Sequence, residues 1–294
     1  MKNVDRKSAI KKLKNLVFTQ KAETLPFRSQ LENTFKTVII PNNVERDEIE
    51  LGGVQCDFLV PEIYSQERVI VYVHGGSFIA GTRKAYRSFC ASIANASTTK
   101  VCVPEFRLAP ENPFPASLED ICSVIKQLQD KEIILMADGT GASIALASVY
   151  LMERFSRNRI KEIILFSPCI EFAPDAQIYN QKKAQDEIIS AEDLRRSVDY
   201  YTYFSNQKNP LVSSLYANDE QLANFPEVYI QVGEKEFQSD VTRSFAHLLY
   251  RHDIKCTVDT WPEMMFMFQM ADEFLPQAHL AIEKIGKHIQ NRDF

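Results

Sequence analysis

The strongest chemical signature in the chain is a single turn inside the stretch 132–147. Glu132-Ile-Ile-Leu-Met136 is apolar, β-branched and bounded by charge, which predicts a buried strand. Ala142-Ser-Ile-Ala-Leu-Ala-Ser-Val-Tyr150 predicts a buried helix rich in small residues. Between them lies Ala137-Asp138-Gly139-Thr140-Gly141. A strand that turns sharply into a helix through small residues has the layout of a nucleophile elbow, Gly-x-Ser-x-Gly, whose middle residue attacks the substrate. The middle position here is Gly139, which has no side chain to attack with.

Other side chains could substitute for it. Thr140 is adjacent, but a side chain beside the apex of the turn points elsewhere and no base stands near it in the sequence. Ser143 falls a turn into the helix, Cys169 follows a strand and Cys90 lies on a helix. The plain reading of each is structural, because buried cysteine is common and a buried hydroxyl readily finds a backbone partner. His247 and His252 are expected on the surface. The sequence holds no metal-ligand cluster, and Gly139-Thr-Gly141 lacks the lysine and spacing of a phosphate loop. Neither metal nor cofactor is expected.

The elements that must position these residues follow from periodicity. Strands are expected at 36–40, 47–51, 54–60 and 68–73, with Gly52-Gly53 as a hairpin signal between the second and third. Strands and helices then alternate: a helix over 85–96, strand 100–106, helix 118–128 with capping-box-like spacing at Ser117 and Asp120, strand 133–136, the small-residue helix, and strand 162–166. A polar insert, 171–222, interrupts the alternation and carries a helix capped by Ser190 and Asp193. Strand 227–232, helix 237–250, strand 256–261 and helix 272–289 complete the chain. This is an α/β pattern: a mostly parallel sheet of about eight strands, an antiparallel first pair, and helices on both faces. Residues 1–34 begin with a basic amphipathic helix. Such a helix can lie on a membrane surface, but packing over the main domain is the usual reason for the pattern. The expected division is 1–34 and 171–222 as a lid, over a core of 35–170 and 223–294.

Composition bounds the function classes. A chain of 294 residues, 45% hydrophobic, can bury a large core in one domain. A net charge of -5 argues against nucleic-acid binding. No apolar run is long enough to span a bilayer, and there is no signal-peptide pattern. Six scattered cysteines read as reduced core residues, which suits a cytoplasmic protein.

Two further motifs carry a resemblance. His74-Gly75-Gly76-Ser77-Phe78 follows one strand, and Phe106-Arg107-Leu108-Ala109-Pro110-Glu111-Asn112-Pro113-Phe114-Pro115-Ala116 follows the next. With the turn at 137–142, they resemble the hormone-sensitive-lipase family of α/β-hydrolases, esterases that carry His-Gly-Gly-Gly, Tyr-Arg-Leu-Ala-Pro-Glu and Gly-Asp-Ser-Ala-Gly-Gly in these places. The resemblance covers about residues 35–290. It implies an oxyanion hole from the amides of Gly75, Gly76 and Thr140, an orienting His74, a positioning Asp138, and a buried Arg107–Glu111 pair that fixes a loop. It puts the triad acid at Glu236, in Gly233-Glu-Lys-Glu236, and the triad base at Phe266, in Met264-Met-Phe-Met-Phe268. The nucleophile and base positions are thus Gly139 and Phe266. A triad works as a unit, so the expected protein is a non-catalytic relative. It would bind a small carboxylate or ester-like carbonyl, or a partner that includes a second copy of the chain. The alternative is an esterase with a displaced nucleophile.

Overall fold

A computed structural model describes residues 3–36, 40–180 and 186–292. Its centre is an eight-stranded sheet of order β1-β2-β4-β3-β5-β6-β7-β8. The strands are β1 Val44–Leu51, β2 Val54–Pro61, β3 Arg68–Val73, β4 Lys100–Pro104, β5 Glu132–Asp138, β6 Ile160–Phe166, β7 Glu227–Gly233 and β8 Cys256–Trp261. β2 runs antiparallel to both β1 and β4, and every other neighbouring pair is parallel. The β1–β2 hairpin turns at Gly52-Gly53, both with positive φ. The central strands β3 and β5 are almost wholly buried, which is why their sequences are continuously apolar rather than alternating.

The helices are α1 Asn3–Leu13, α2 Thr24–Phe35, α3 Arg83–Ser97, α4 Ala116–Gln127, α5 Gly141–Leu151, α6 Arg154–Asn158, α7 Ala191–Tyr201, α8 Asp219–Leu222, α9 Ser239–Arg251 and α10 Pro276–Gln290. They flank the sheet, with α3 packed on α10 and α4 on α5. α7 begins with the expected capping box, Ser190 and Asp193 bonding each other's backbone amides.

Two local expectations fail. The strand foreseen at 36–40 is not observed in its described part: Lys36 caps α2, and 37–39 lie outside the described residues, so the first strand is Val44–Leu51. Ser117 and Asp120 do not cap α4. Its N-cap is Pro115, while Ser117 Oγ meets Tyr201 Oη and Asp120 binds Arg107. A partner from outside the helix won each side chain.

The first residues and the insert meet over the C-terminal end of the parallel strands. Phe18 N donates to Ser77 Oγ at 3.0 Å, and the Arg196 guanidinium on α7 donates to the carbonyls of Gln20 and Ala22. Phe78 stacks on Tyr201 with centroids 4.0 Å apart.

Candidate active site

The elbow forms as its sequence requires. β5 ends at Asp138, Gly139 takes φ +48, Thr140 caps, and α5 starts at Gly141. The left-handed conformation is one glycine adopts at little cost. Gly139 N donates to Phe166 O at 3.1 Å, and Gly139 O accepts from Cys169 N at 2.8 Å, so the apex is tied to β6 and the loop after it. A Cβ at Gly141 would collide with the carbonyls of Val73 and His74, so a glycine here lets α5 approach β3.

Asp138 organises the loop opposite. It is 2% exposed and accepts three hydrogen bonds: from Tyr72 Oη (2.9 Å) and Gly75 N (2.9 Å) on Oδ1, and from Tyr86 Oη (3.2 Å) on Oδ2. Burial lifts its pKa to about 6 against the lowering effect of these donors. Asp138 thereby ties the end of β5 to the loop after β3 and to Tyr86 on α3. His74 is 1% exposed, its Nδ1 bonds Gly75 O at 2.8 Å, and its ring stacks on Phe106 (4.3 Å) and Tyr86 (5.0 Å). Burial depresses its pKa to about 4, so it is neutral at physiological pH and ties the loop down.

The expected donor set needs one change. The Gly75 amide is spent on Asp138, so it does not face the cleft. The cleft is lined instead by Gly76, Ser77, Gly139 and Thr140, and no protein acceptor is found for the amides of Gly76, Ser77 and Thr140 among the described residues. The Arg107–Glu111 pair is also wrong. Arg107 binds Asp120 (2.8 Å) and Glu119 (3.1 Å), and Glu111 binds Arg28 (2.6 Å). Both side chains are about half exposed, at 47% and 55%. The loop is fixed by Arg28, which also donates to Ile79 O and Ala109 O.

The base side of the cleft is apolar. Phe266 is 5% exposed, and its Cζ lies 3.3 Å from where a Cβ on Gly139 would sit. The acid position, Glu236, is 4% exposed. Its Oε1 accepts from Ser167 Oγ (2.7 Å) and Gly233 N (2.5 Å), and its Oε2 has no partner among the described residues. Burial and the nearby carboxyl of Asp186 push its pKa to about 8. With no cation beside it among the described residues, it is held largely protonated at neutral pH.

Sequence reasoning missed Ser167. It has φ +45, is fully buried, and bridges the acid and base loops by donating to Glu236 while accepting from Met267 N at 2.9 Å. Its partners lie 69 and 100 residues away, and no local pattern announces them.

The hydroxyl candidates take part in hydrogen bonds and the thiol candidates are buried. Thr140 Oγ1 accepts from Phe78 N at 3.1 Å, and Ser143 Oγ donates to Val212 O at 2.6 Å. Cys90 and Cys169 are fully buried, and burial drives both thiols well above the normal range, away from thiolate. His247 is exposed, and His252 binds Asp219 far from the elbow in sequence. The space above the elbow is a cavity of only about 10 Å³, closed by Leu16, Val17, Ile189 and Phe266. That is about the room for one water molecule.

The comparisons agree with this architecture. A family model described as the alpha/beta hydrolase fold matches residues 70–270. Among curated relatives, an acetyl-hydrolase of Streptomyces hygroscopicus is 26% identical over 249 residues, covering 83% of this chain and 82% of its own. An esterase of Acinetobacter venetianus is 26% identical over 263 residues, covering 87% and 86%. A crystal structure of an esterase from the bacterial hormone-sensitive lipase family superposes with a TM-score of 0.89 at 23% identity, over 99% of this chain and 98% of that one. On the elbow, the sheet order and the match over 70–270, the chain belongs to the α/β-hydrolase family, the architecture its hormone-sensitive-lipase-like motifs imply.

Proposed function

We propose that this chain is a non-hydrolysing α/β-hydrolase whose elbow cleft is closed by its own residues and whose role is binding. The observation that carries the reading is the pair Gly139 and Phe266, facing each other where a nucleophile and its base would stand. Without a hydroxyl at 139 there is nothing to acylate. Without an imidazole at 266 there is nothing to take a proton.

The ligand class follows from what remains. Gly76, Ser77 and Thr140 offer backbone donors beside an apolar wall, which suits a carboxylate or ester carbonyl. At about 10 Å³, the cleft admits such a group only if Leu16, Val17 or Ile189 withdraws. We therefore treat 1–34 and 171–222 as the lid, and its withdrawal, or a protein partner that induces it, as the binding event. A second copy of the chain is one such partner. Six free cysteines support a cytoplasmic setting, and no helix among the described residues is long and apolar enough to cross a membrane.

The rival reading is an esterase with a displaced nucleophile, favoured by the names of the relatives. A short-chain nitrophenyl-ester assay separates the two. Turnover that disappears in one of Thr140→Val, Ser143→Ala or Cys169→Ala would establish the rival. Background rates in all four proteins would support the binding reading.

A further inference from the structure

The elbow cleft is closed by an irregular segment of the chain's own N-terminal part. Leu16 and Val17 line the cleft together with Gly76, Gly139 and Thr140, and Val17 is extended, with φ -112 and ψ 127. From there to α2 the chain runs without helix or strand. Side chains hold it in place. Phe18 N donates to Ser77 Oγ at 3.0 Å, and Gln20 N donates to Asp193 Oδ1 at 3.2 Å. Arg196 donates to Gln20 O and, at 2.6 Å, to Ala22 O. The Phe18 ring is fully buried and packs on Phe27 (5.3 Å) and Tyr200 (5.2 Å), with the Arg196 guanidinium 4.5 Å from its centroid.

These contacts fall into two groups. Asp193 and Arg196 belong to α7, in the insert. Ser77 belongs to the loop after β3, in the sheet domain, and it is buried. Its φ is +61, a conformation that glycine takes at little cost and that a residue with a Cβ rarely takes. Glycine would hold this loop at lower energy. What the serine side chain adds is the acceptor for Phe18 N.

We infer that residues 16–22 form an autoinhibitory strap, latched to the sheet domain by the Ser77 hydroxyl and to α7 by Asp193 and Arg196, and that its release opens the elbow cleft. Resting on the binding reading above, the strap competes with the ligand. Leu16 and Val17 take the space of an apolar tail and leave the amides of Gly76, Ser77 and Thr140 without an acceptor. The latch itself is independent of ligand chemistry.

Hydrogen–deuterium exchange on the full chain, read by mass spectrometry, tests the latch with Ser77→Gly and Arg196→Met. Ser77→Gly keeps the backbone amide and the loop conformation and removes the acceptor. The peptide over 14–22 should exchange about fivefold faster in either variant, as expected from a lost hydrogen bond, while the peptide over α5 stays protected. In Ser77→Gly this should come without a lower melting temperature, because glycine relieves the positive φ; a serine that served only the fold would not loosen 14–22 selectively. Cys169, fully buried in the same cleft, should then react faster with N-ethylmaleimide, located by peptide mapping. Unchanged exchange of 14–22 in Ser77→Gly, or faster exchange with Cys169 as protected as in the wild type, would overturn the strap. If Arg196→Met fails to fold, Ser77→Gly alone decides. Calorimetry with hexanoate separates the two readings: no binding to Ser77→Gly with its strap open would defeat the carboxylate reading of the cleft and leave the latch standing.

Discussion

On one wall of the elbow cleft, the hydrogen bonds that shape the loop are in place: Asp138 holds Gly75, Tyr72 and Tyr86, and Gly139 takes the apex conformation. On the opposite wall, built by the loops after β7 and β8, a buried acid faces no cation among the described residues. Glu236 is held by Ser167 and the Gly233 amide, and Phe266 fills the space where a base would reach the apex. The difference lies in what supports each wall. The first is set by a buried aspartate that accepts from a backbone amide and two tyrosine hydroxyls, and none of these bonds needs a side chain at position 139. On the proposed reading, the second stands where an imidazole would be oriented. With phenylalanine there, the buried carboxylate has no cation to meet, and it is more stable protonated against a hydroxyl.

The largest effect should come from attacking the intact wall. Asp138→Ala leaves two buried tyrosine hydroxyls and the Gly75 amide without their acceptor, and should cost roughly 3–5 kcal/mol in denaturant unfolding. A loss below about 1 kcal/mol would show that the loop is held by something else.

The wall that carries Glu236 makes a pH prediction. The folded pKa of Glu236, about 8, lies above its ordinary value of 4.5. The native state then binds the extra proton. This contribution is fully present below about pH 4.5 and is lost as pH rises through 8, so stability falls over that window. Glu236→Gln keeps an uncharged group there, and should flatten the decline and raise stability near pH 8.5 by about 2 kcal/mol, read from urea midpoints at several pH values. An unchanged slope would mean that Glu236 is ionised in the fold.

The contact between the two walls predicts a coupling. Gly139→Ser places a side chain at φ +48 and within 3.3 Å of Phe266 Cζ, and should destabilise by about 1–2 kcal/mol. In a Phe266→His background the ring is smaller, and the cost should drop by about half or more. Additive effects would place the strain in the backbone alone. A rise in melting temperature for Gly139→Ser would contradict the account of both.

The smallest effect concerns the loop that follows β4. Since Arg107 and Glu111 bind different partners at the surface, Arg107→Ala and Glu111→Ala should each cost under about 1 kcal/mol and show no coupling. A coupling above ~0.5 kcal/mol would restore the pair inferred from the sequence.

These contrasts also mark where the sequence was legible. The parallel core could be read because β3 and β5 are continuously apolar and each lies beside a loop motif, and β8 was found at its observed ends. The cap of α7 was legible because both partners lie within four residues. What could not be read depends on distant partners. Ser117 looked like a cap until Tyr201, 84 residues away, took its hydroxyl. Gly75 looked like an oxyanion donor until Asp138 took its amide from 63 residues away. The closed cleft is the same kind of failure, because Leu16, Val17 and Ile189 carry no mark of where they will pack.

The central claim is that this fold holds an elbow without a reactive group, and covalent labelling tests it most directly. Treated with an excess of a fluorophosphonate and weighed intact, the wild-type chain should show no mass increase. The double variant Gly139→Ser/Phe266→His, which supplies a hydroxyl and an imidazole to the same scaffold, should gain one adduct located by peptide mapping at position 139. An adduct on the wild-type chain, mapped to any serine or threonine lining the cleft, would contradict the account.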